Sequence, residues 1–292
     1  MIANVPITAC GLKKSYGRQL VLDQLDFTVE RGAAIGLLGA NGTGKTTLLK
    51  CLLGILPLDA GRCELFGEPS PSLSSVARER IAYVPQSPGQ FPWLSGQAML
   101  RYISALFPKF DWTYAKELAG RWKLALHTPI GVLSPGQQQR LSIVRALATR
   151  PDVLILDEPI ASLDPATRLA VIDELISERD RRAVTVIFSS HLIGDLERLC
   201  SQFAVLAGGK IAVMKDIPWF KQLVRAHLES EEELLAALSF PTAQLVRKSA
   251  EGKRTVVIDR SAVAHLESVV SERVRMTVDE PDVETLSAEW MQ

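Results

Sequence analysis

The chain has 292 residues, 47% of them hydrophobic, with 33 Lys and Arg against 33 Asp and Glu. That length and apolar content suit one large domain with an appendage and argue against dominant disorder. The charge is balanced and no run of Lys or Arg exceeds two, so no nucleic-acid partner is expected.

The opening, MIANVPITACGLKK, has no long apolar core and is not expected to act as a secretion signal. No apolar run nears the roughly 20 residues that span a bilayer. Cys10, Cys51, Cys63 and Cys200 are scattered without CxxC spacing, which predicts reduced thiols rather than a metal or redox site. Residues 1–85 read as strands and turns broken by one helix. Residues 33–38 form an apolar run ending at glycine, predicting a buried strand, and 46–53 follow as a helix. Residues 86–150 read as mostly helical, with helical spacing over 97–106 and 112–124 and a stripe of Leu141, Val144, Leu147 and Ala148. Residues 153–157 predict a second buried strand. Asp164 and Pro165 then mark an N-cap and a first helical turn, ahead of Leu169, Ile172, Leu175 and Ile176 on one face. Residues 185–189, rich in β-branched side chains, predict a third strand. Strand–helix–strand alternation argues for a parallel sheet covered by helices.

Between the first strand and its helix stands Gly39-Ala40-Asn41-Gly42-Thr43-Gly44-Lys45-Thr46, a GxxxxGK[ST] loop followed by Thr47. Glycines let the backbone wrap closely with amides aimed at phosphate oxygens, and the following helix adds free N–H groups and the positive end of its dipole. Lys45 suits the β- and γ-phosphates of ATP, and the Thr46 hydroxyl suits Mg²⁺. Val153-Leu154-Ile155-Leu156-Asp157-Glu158-Pro159 supplies a carboxylate for Mg²⁺ at Asp157 and a base for the attacking water at Glu158. A phosphate loop and this strand together predict an ATP hydrolase.

Leu133-Ser134-Pro135-Gly136-Gln137-Gln138-Gln139-Arg140, just before that strand, resembles the LSGGQ signature of the ATP-binding cassette (ABC) superfamily. Tyr16, placed ahead of the first strands, is similar to the adenine-stacking aromatic. Gln86 in Tyr83-Val84-Pro85-Gln86 resembles the Q-loop, Ala161-Ser162-Leu163-Asp164 the D-loop, and His191 after Ser189-Ser190 the switch histidine. The resemblance covers about residues 6–215. It implies an α/β fold of the P-loop NTPase type: an ABC cassette with a mixed sheet core, an antiparallel β subdomain and a helical subdomain over about residues 87–150. It also implies two cassettes packed head to tail. Tyr16, Gly39 to Thr47, Gln86, Asp157, Glu158 and His191 would serve one ATP, with Thr46, Gln86 and Asp157 on the metal and Glu158, His191 and Gln86 in catalysis. Ser134, Gly136 and Gln137 would cap the ATP of the partner. One departure stands out: Pro135 replaces the first signature glycine and has no N–H to donate, though it suits a first helical position capped by Ser134.

The resemblance further implies a motor subunit, peripheral on the cytoplasmic face of the membrane, that works with an integral membrane permease. Phe91, Trp93 and Leu94 lie where the family receives its permease, although the same residues suit a buried aromatic loop. Phe107-Pro108-Lys109-Phe110-Asp111-Trp112 is similar to stretches in ATPase subunits of bacterial ABC-2 and antimicrobial-peptide exporters, and residues 283–290 loosely resemble their C-terminal helix. An exporter motor is the favoured reading. A soluble ABC ATPase of repair, translation or assembly is the alternative, disfavoured by the single cassette and the lack of a coiled-coil or zinc insertion. A P-loop kinase would have no use for the signature. Residues 216–292 predict a small α+β accessory region, separate from an ATPase domain over 1–215. Helices are expected at 231–238 and 262–270, and strands at 243–247 and 255–259 around a turn at Glu251-Gly252.

Overall fold

A hairpin opens the folded chain: β1 (Ile7–Tyr16) runs antiparallel to β2 (Gln19–Val29), with Tyr16 opposite Gln19. The computed structural model describes residues 5–88, 91–190, 193–228, 245–248, 254–259 and 277–279. The chain divides into two compact units, 1–213 and 214–292. Tyr16 therefore closes the first strand instead of preceding it, a correction set by the tight turn at Gly17, whose φ is 60°.

The first unit continues through β3 (Ala34–Leu38), α1 (Lys45–Leu52), β4 (Ala60–Leu65) and β5 (Glu68–Pro69). After α2 (Ser75–Glu79) and β6 (Ile81–Val84) come three helices, α3 (Gly96–Ser104), α4 (Trp112–Arg121) and α5 (Pro135–Ala148). The chain then alternates β7 (Val153–Asp157), α6 (Pro165–Arg182), β8 (Thr185–Ser190), α7 (Ile193–Leu199), β9 (Gln202–Ala207) and β10 (Lys210–Asp216). Two sheets result. One is antiparallel, in the order β2-β1-β4-β5; the other has the order β10-β9-β3-β8-β7-β6, with parallel pairing from β9 through β6. Every residue of β3, β7 and β8 is buried, as expected of strands covered on both faces. Their carboxyl ends share one edge: Leu38 pairs with Ser190, and Asp157 with Ser189. The fold is that of a P-loop cassette with mixed sheets and a helical part.

The predicted helices lie within a few residues of those observed, and α4 stops at Arg121 because Lys123 adopts a left-handed φ of 51°. Four caps fit their sequence signals: Ser74, Ser95, Asp111 and Asp164 each accept from the backbone N–H three residues on. Leu169 departs from its predicted apolar face. It is exposed on α6, while Val171, Ile172, Leu175 and two acids, Glu174 and Glu178, are buried. The acids are tolerated because Arg121 sits 2.7 Å from Glu174 and Arg150 3.0 Å from Glu178.

The second unit holds α8 (Ile217–Lys221) and a four-stranded antiparallel sheet of β11 (Leu223–Leu228), β12 (Leu245–Lys248), β13 (Arg254–Asp259) and β14 (Thr277–Asp279), in the order β12-β13-β11-β14. The sequence anticipates β12 and β13 but not β11 or β14. The expected helices at 231–238 and 262–270, the turn at 251–252 and the stretch 283–290 lie outside the described residues.

Candidate active site

β3 delivers the chain to Gly39 at the carboxyl edge of the parallel sheet, and the loop to Gly44 turns it into α1. A side chain at Gly39 would strike Thr43 Oγ1 at 2.6 Å and Leu206 O at 3.0 Å, so only glycine lets the loop close. Gly44, at φ 105°, heads α1 with no side-chain cap and no acidic residue in the first turn. By contrast α2 to α6 are all capped by a Ser or Asp side chain. The first N–H groups of α1 have no intrahelical acceptor and suit an anion.

These residues border a cavity of about 400 Å³. Asn41, Gly42, Gly44, Lys45, Thr46 and Thr47 form one end; Tyr16, Gln19 and Val21 line it from the hairpin, and Gln86 and Glu158 complete the wall. Gly39, Ala40 and Thr43 do not face the cavity. They brace the loop, since Thr43 Oγ1 donates to Ala40 O at 2.9 Å and Lys45 Nζ donates to Gly39 O at 2.6 Å. Lys45 Nζ also lies 3.3 Å from Glu158 Oε1, both side chains being 6% exposed. The pair neutralises two buried charges, and an entering phosphate would compete with Glu158 for Lys45.

Asp157 ends β7 fully buried and is not a wall residue of the cavity. Ser189 Oγ donates to its Oδ1 at 2.9 Å, and Tyr83 Oη donates to its Oδ2 at 3.4 Å. Glu158 takes a left-handed φ of 48°, uncommon for a non-glycine residue, and its N–H donates to Ser189 Oγ at 2.9 Å. Among the described residues no group of three or more His, Cys, Asp or Glu could hold a metal. A cation here would need phosphate oxygens beside Thr46, Gln86 and Asp157, a donor set that suits Mg²⁺. His191 lies outside the described residues.

Ser134, Gly136 and Gln137 are absent from this cavity. Ser134 and Gly136 line another, of about 470 Å³, with Pro135, Arg140, Ser162 and Asp164. There α5 starts in a closed capping box: Gln137 N–H donates to Ser134 Oγ at 3.2 Å, and Ser134 N–H donates to Gln137 Oε1 at 2.9 Å. Pro135 occupies the first turn, as its fixed φ favours. A Cβ on Gly136 would meet Ser162 O at 3.2 Å, so the signature glycine lets the D-loop pass close to α5. Thr167 N–H and Oγ1 donate to Asp164 at 3.0 and 2.6 Å, and these bonds hold the Asp164 carboxyl below its ordinary pKa.

Three residues lie within the quoted motifs, but their supporting roles escape a reading by motif. Tyr83 and Ser189 grip Asp157, and the buried Gln139 donates to Pro85 O at 3.3 Å, tying α5 to the loop that carries Gln86. Ser189 was discoverable in principle, because parallel register sets it opposite Asp157.

The family model described as ABC transporter matches residues 22–161. Among curated relatives, Nod factor export ATP-binding protein I of Ralstonia nicotianae is 37% identical, the match covering 72% of this chain and 67% of that one. The protein of the same name from Burkholderia orbicola is 38% identical over 70% of this chain and 69% of its own. Among solved structures, an ATP-binding subunit of an ABC transporter superposes with a TM-score of 0.67 at 25% identity, covering 74% of this chain and 91% of the other.

Proposed function

The chain belongs to the ABC transporter family, and on that premise we propose that it is the ATP-hydrolysing motor of an exporter whose membrane subunits are separate chains. Lys45 and Glu158, 3.3 Å apart at the end of a cavity lined by an uncapped helix, carry this reading. Lys45 exchanges Glu158 for the β- and γ-phosphates. Glu158 is thereby freed to accept a proton from water aimed at the γ-phosphate. Thr46, Gln86 and Asp157 would hold Mg²⁺, which when bound offsets the negative charge on the phosphates. Tyr16, exposed at the hairpin end of the cavity, is placed to stack on a base.

The signature of a second cassette completes the site. Ser134 keeps its hydroxyl proton for donation, because as a cap its oxygen only accepts. Gly136, in the first turn of α5, has an N–H without an intrahelical acceptor, and the Gln137 amide nitrogen is free of the capping box. Pro135 removes one donor from this set. ATP then becomes a removable contact between two chains, and its hydrolysis releases them.

No helix among the described residues is long and apolar enough to cross a membrane. Docking on the cytoplasmic face falls to Phe91, Trp93 and Tyr102, all exposed, with Phe91 5.4 Å from Trp93 and 6.2 Å from Tyr102 between ring centroids. The exposure of Phe91 and Trp93 departs from the buried-loop alternative, whereas Leu94, expected beside them, is half-buried; exposed aromatics of this kind suit an apolar partner. Two measurements test the reading. Lys45→Ala should abolish ATP hydrolysis, and the native chain should co-purify with an integral membrane protein. Full turnover in the variant would overturn the nucleotide site. Recovery with ribosomes or nucleic acid and never with a membrane protein would overturn the transporter role.

A further inference from the structure

We propose that Tyr83 and Ser189 are positioning residues for both carboxylates of the nucleotide site: together they clamp the Asp157 side chain, and Ser189 passes that constraint to the backbone of Glu158. The proposal rests on the reading of Asp157 as a metal ligand and of Glu158 as the base.

Asp157 has no exposure to solvent. A carboxylate buried this fully needs hydrogen-bond donors on its oxygens. The two donors come from opposite sides of β7. Ser189 stands directly across from Asp157 on β8, while Tyr83 is on β6, where it pairs with Ile155, two positions before Asp157. The last residue of β7 is thus gripped from both neighbouring strands, one oxygen each, at 2.9 Å and 3.4 Å. Each oxygen keeps acceptor capacity beyond its one donor. A Phe at position 83 would fill nearly the same space, so only the hydroxyl is specific to this contact.

Ser189 does a second job. Its single hydroxyl proton goes to Asp157, and its lone pair accepts the Glu158 N–H at 2.9 Å, backed by the Ser189 carbonyl at 3.2 Å. The left-handed backbone at Glu158, an unfavourable conformation for a non-glycine residue, is held by these bonds. That turn swings the Glu158 side chain out of the strand alternation and into the cavity beside Lys45. One hydroxyl therefore couples the metal ligand to the aim of the base.

The test is Mn²⁺ binding to the full chain with ADP, followed by electron paramagnetic resonance, alongside steady-state hydrolysis. Ser189→Ala should weaken Mn²⁺ roughly tenfold, and Tyr83→Phe, with the longer bond, about threefold. The double variant should lose less than the product of the singles, because both act on one carboxylate. Excess metal should restore kcat in Tyr83→Phe but not in Ser189→Ala, where Glu158 has also lost its anchor. Asp157→Asn is the control for the underlying reading. If it abolishes Mn²⁺ binding while both other variants match the wild type, the positioning role is overturned; if it leaves Mn²⁺ binding intact, the metal assignment itself falls. Should Ser189→Ala fail to fold, Tyr83→Phe decides by the same Mn²⁺ criterion.

Discussion

Helices α1 and α5 both begin at glycine-containing motifs suited to phosphate, and the chain finishes them in opposite ways. α1 starts at Gly44 with no side-chain cap, so its orphan N–H groups wait for an anion supplied from outside. α5 starts at Ser134 with its capping box closed, so its helix is complete without any ligand. On the proposed reading, the difference separates the two roles in nucleotide binding. The uncapped terminus, with Lys45 and Glu158 beside it, would bind nucleotide in its own chain. The capped one lines a separate cavity and would meet the nucleotide of another chain.

The largest expected effect breaks the α1 side. Glu158→Gln should cut turnover by about 10²- to 10⁴-fold while ATP still binds, as filter binding and phosphate release would show together. Wild-type turnover would mean that the base lies elsewhere. Lys45→Ala removes the cation over the uncapped terminus, and nucleotide affinity measured by calorimetry should fall about 10- to 100-fold. Retained tight binding would count against the phosphate-loop assignment.

The next two variants sharpen the α5 side. Gly136→Ala presses a methyl against Ser162 O at 3.2 Å. It should reduce turnover several-fold by moving the D-loop off α5, with nucleotide affinity of the isolated chain unchanged. Pro135→Gly restores an N–H to the signature. It should change kcat a few-fold with little change in ATP affinity, and an identical kcat would remove any role for the missing donor.

The smallest effect comes from a terminus that is capped for stability alone. Asp111 caps α4 and pairs with Arg150 at 2.7 Å. The Tyr114 N–H and then the Arg150 guanidinium hold its carboxyl below the usual value. A depressed carboxylate contributes stability above its unfolded pKa, near 4, and that contribution is lost as pH falls through the folded value. Asp111→Asn keeps a cap acceptor but loses the charge. It should cost about 1 kcal/mol at pH 7, with the difference shrinking in thermal melts as pH falls below the unfolded value of about 4 and through the lower folded one. ATP turnover should follow folded protein only.

Much of this was legible in the sequence, because phosphate chemistry demands particular residue types at fixed local spacing. Gly39 to Thr47, Asp157, Glu158 and the Asp164 cap each announce themselves within a few neighbouring residues. What escaped depends on sheet order. Ser189 reaches Asp157 across 32 residues and Tyr83 reaches it across 74, and no local pattern encodes either distance. The exposure of Leu169 escaped for a related reason: Arg121 and Arg150 draw Glu174 and Glu178 inward on α6, which a purely apolar periodicity does not foresee. Likewise β11 and β14 became visible only once β13 offered β11 a partner, and β11 in turn offered one to β14.

The central claim is that ATP on α1 is completed by the α5 terminus of a second cassette. Sedimentation of Glu158→Gln with ATP tests it most directly, read beside the same variant carrying Gly136→Asp. The account predicts a species of twice the chain mass with ATP, the single chain with ADP, and the single chain for the double variant even while it binds ATP. A double variant that still dimerises with ATP, or a Glu158→Gln chain that stays single at saturating ATP, would contradict it.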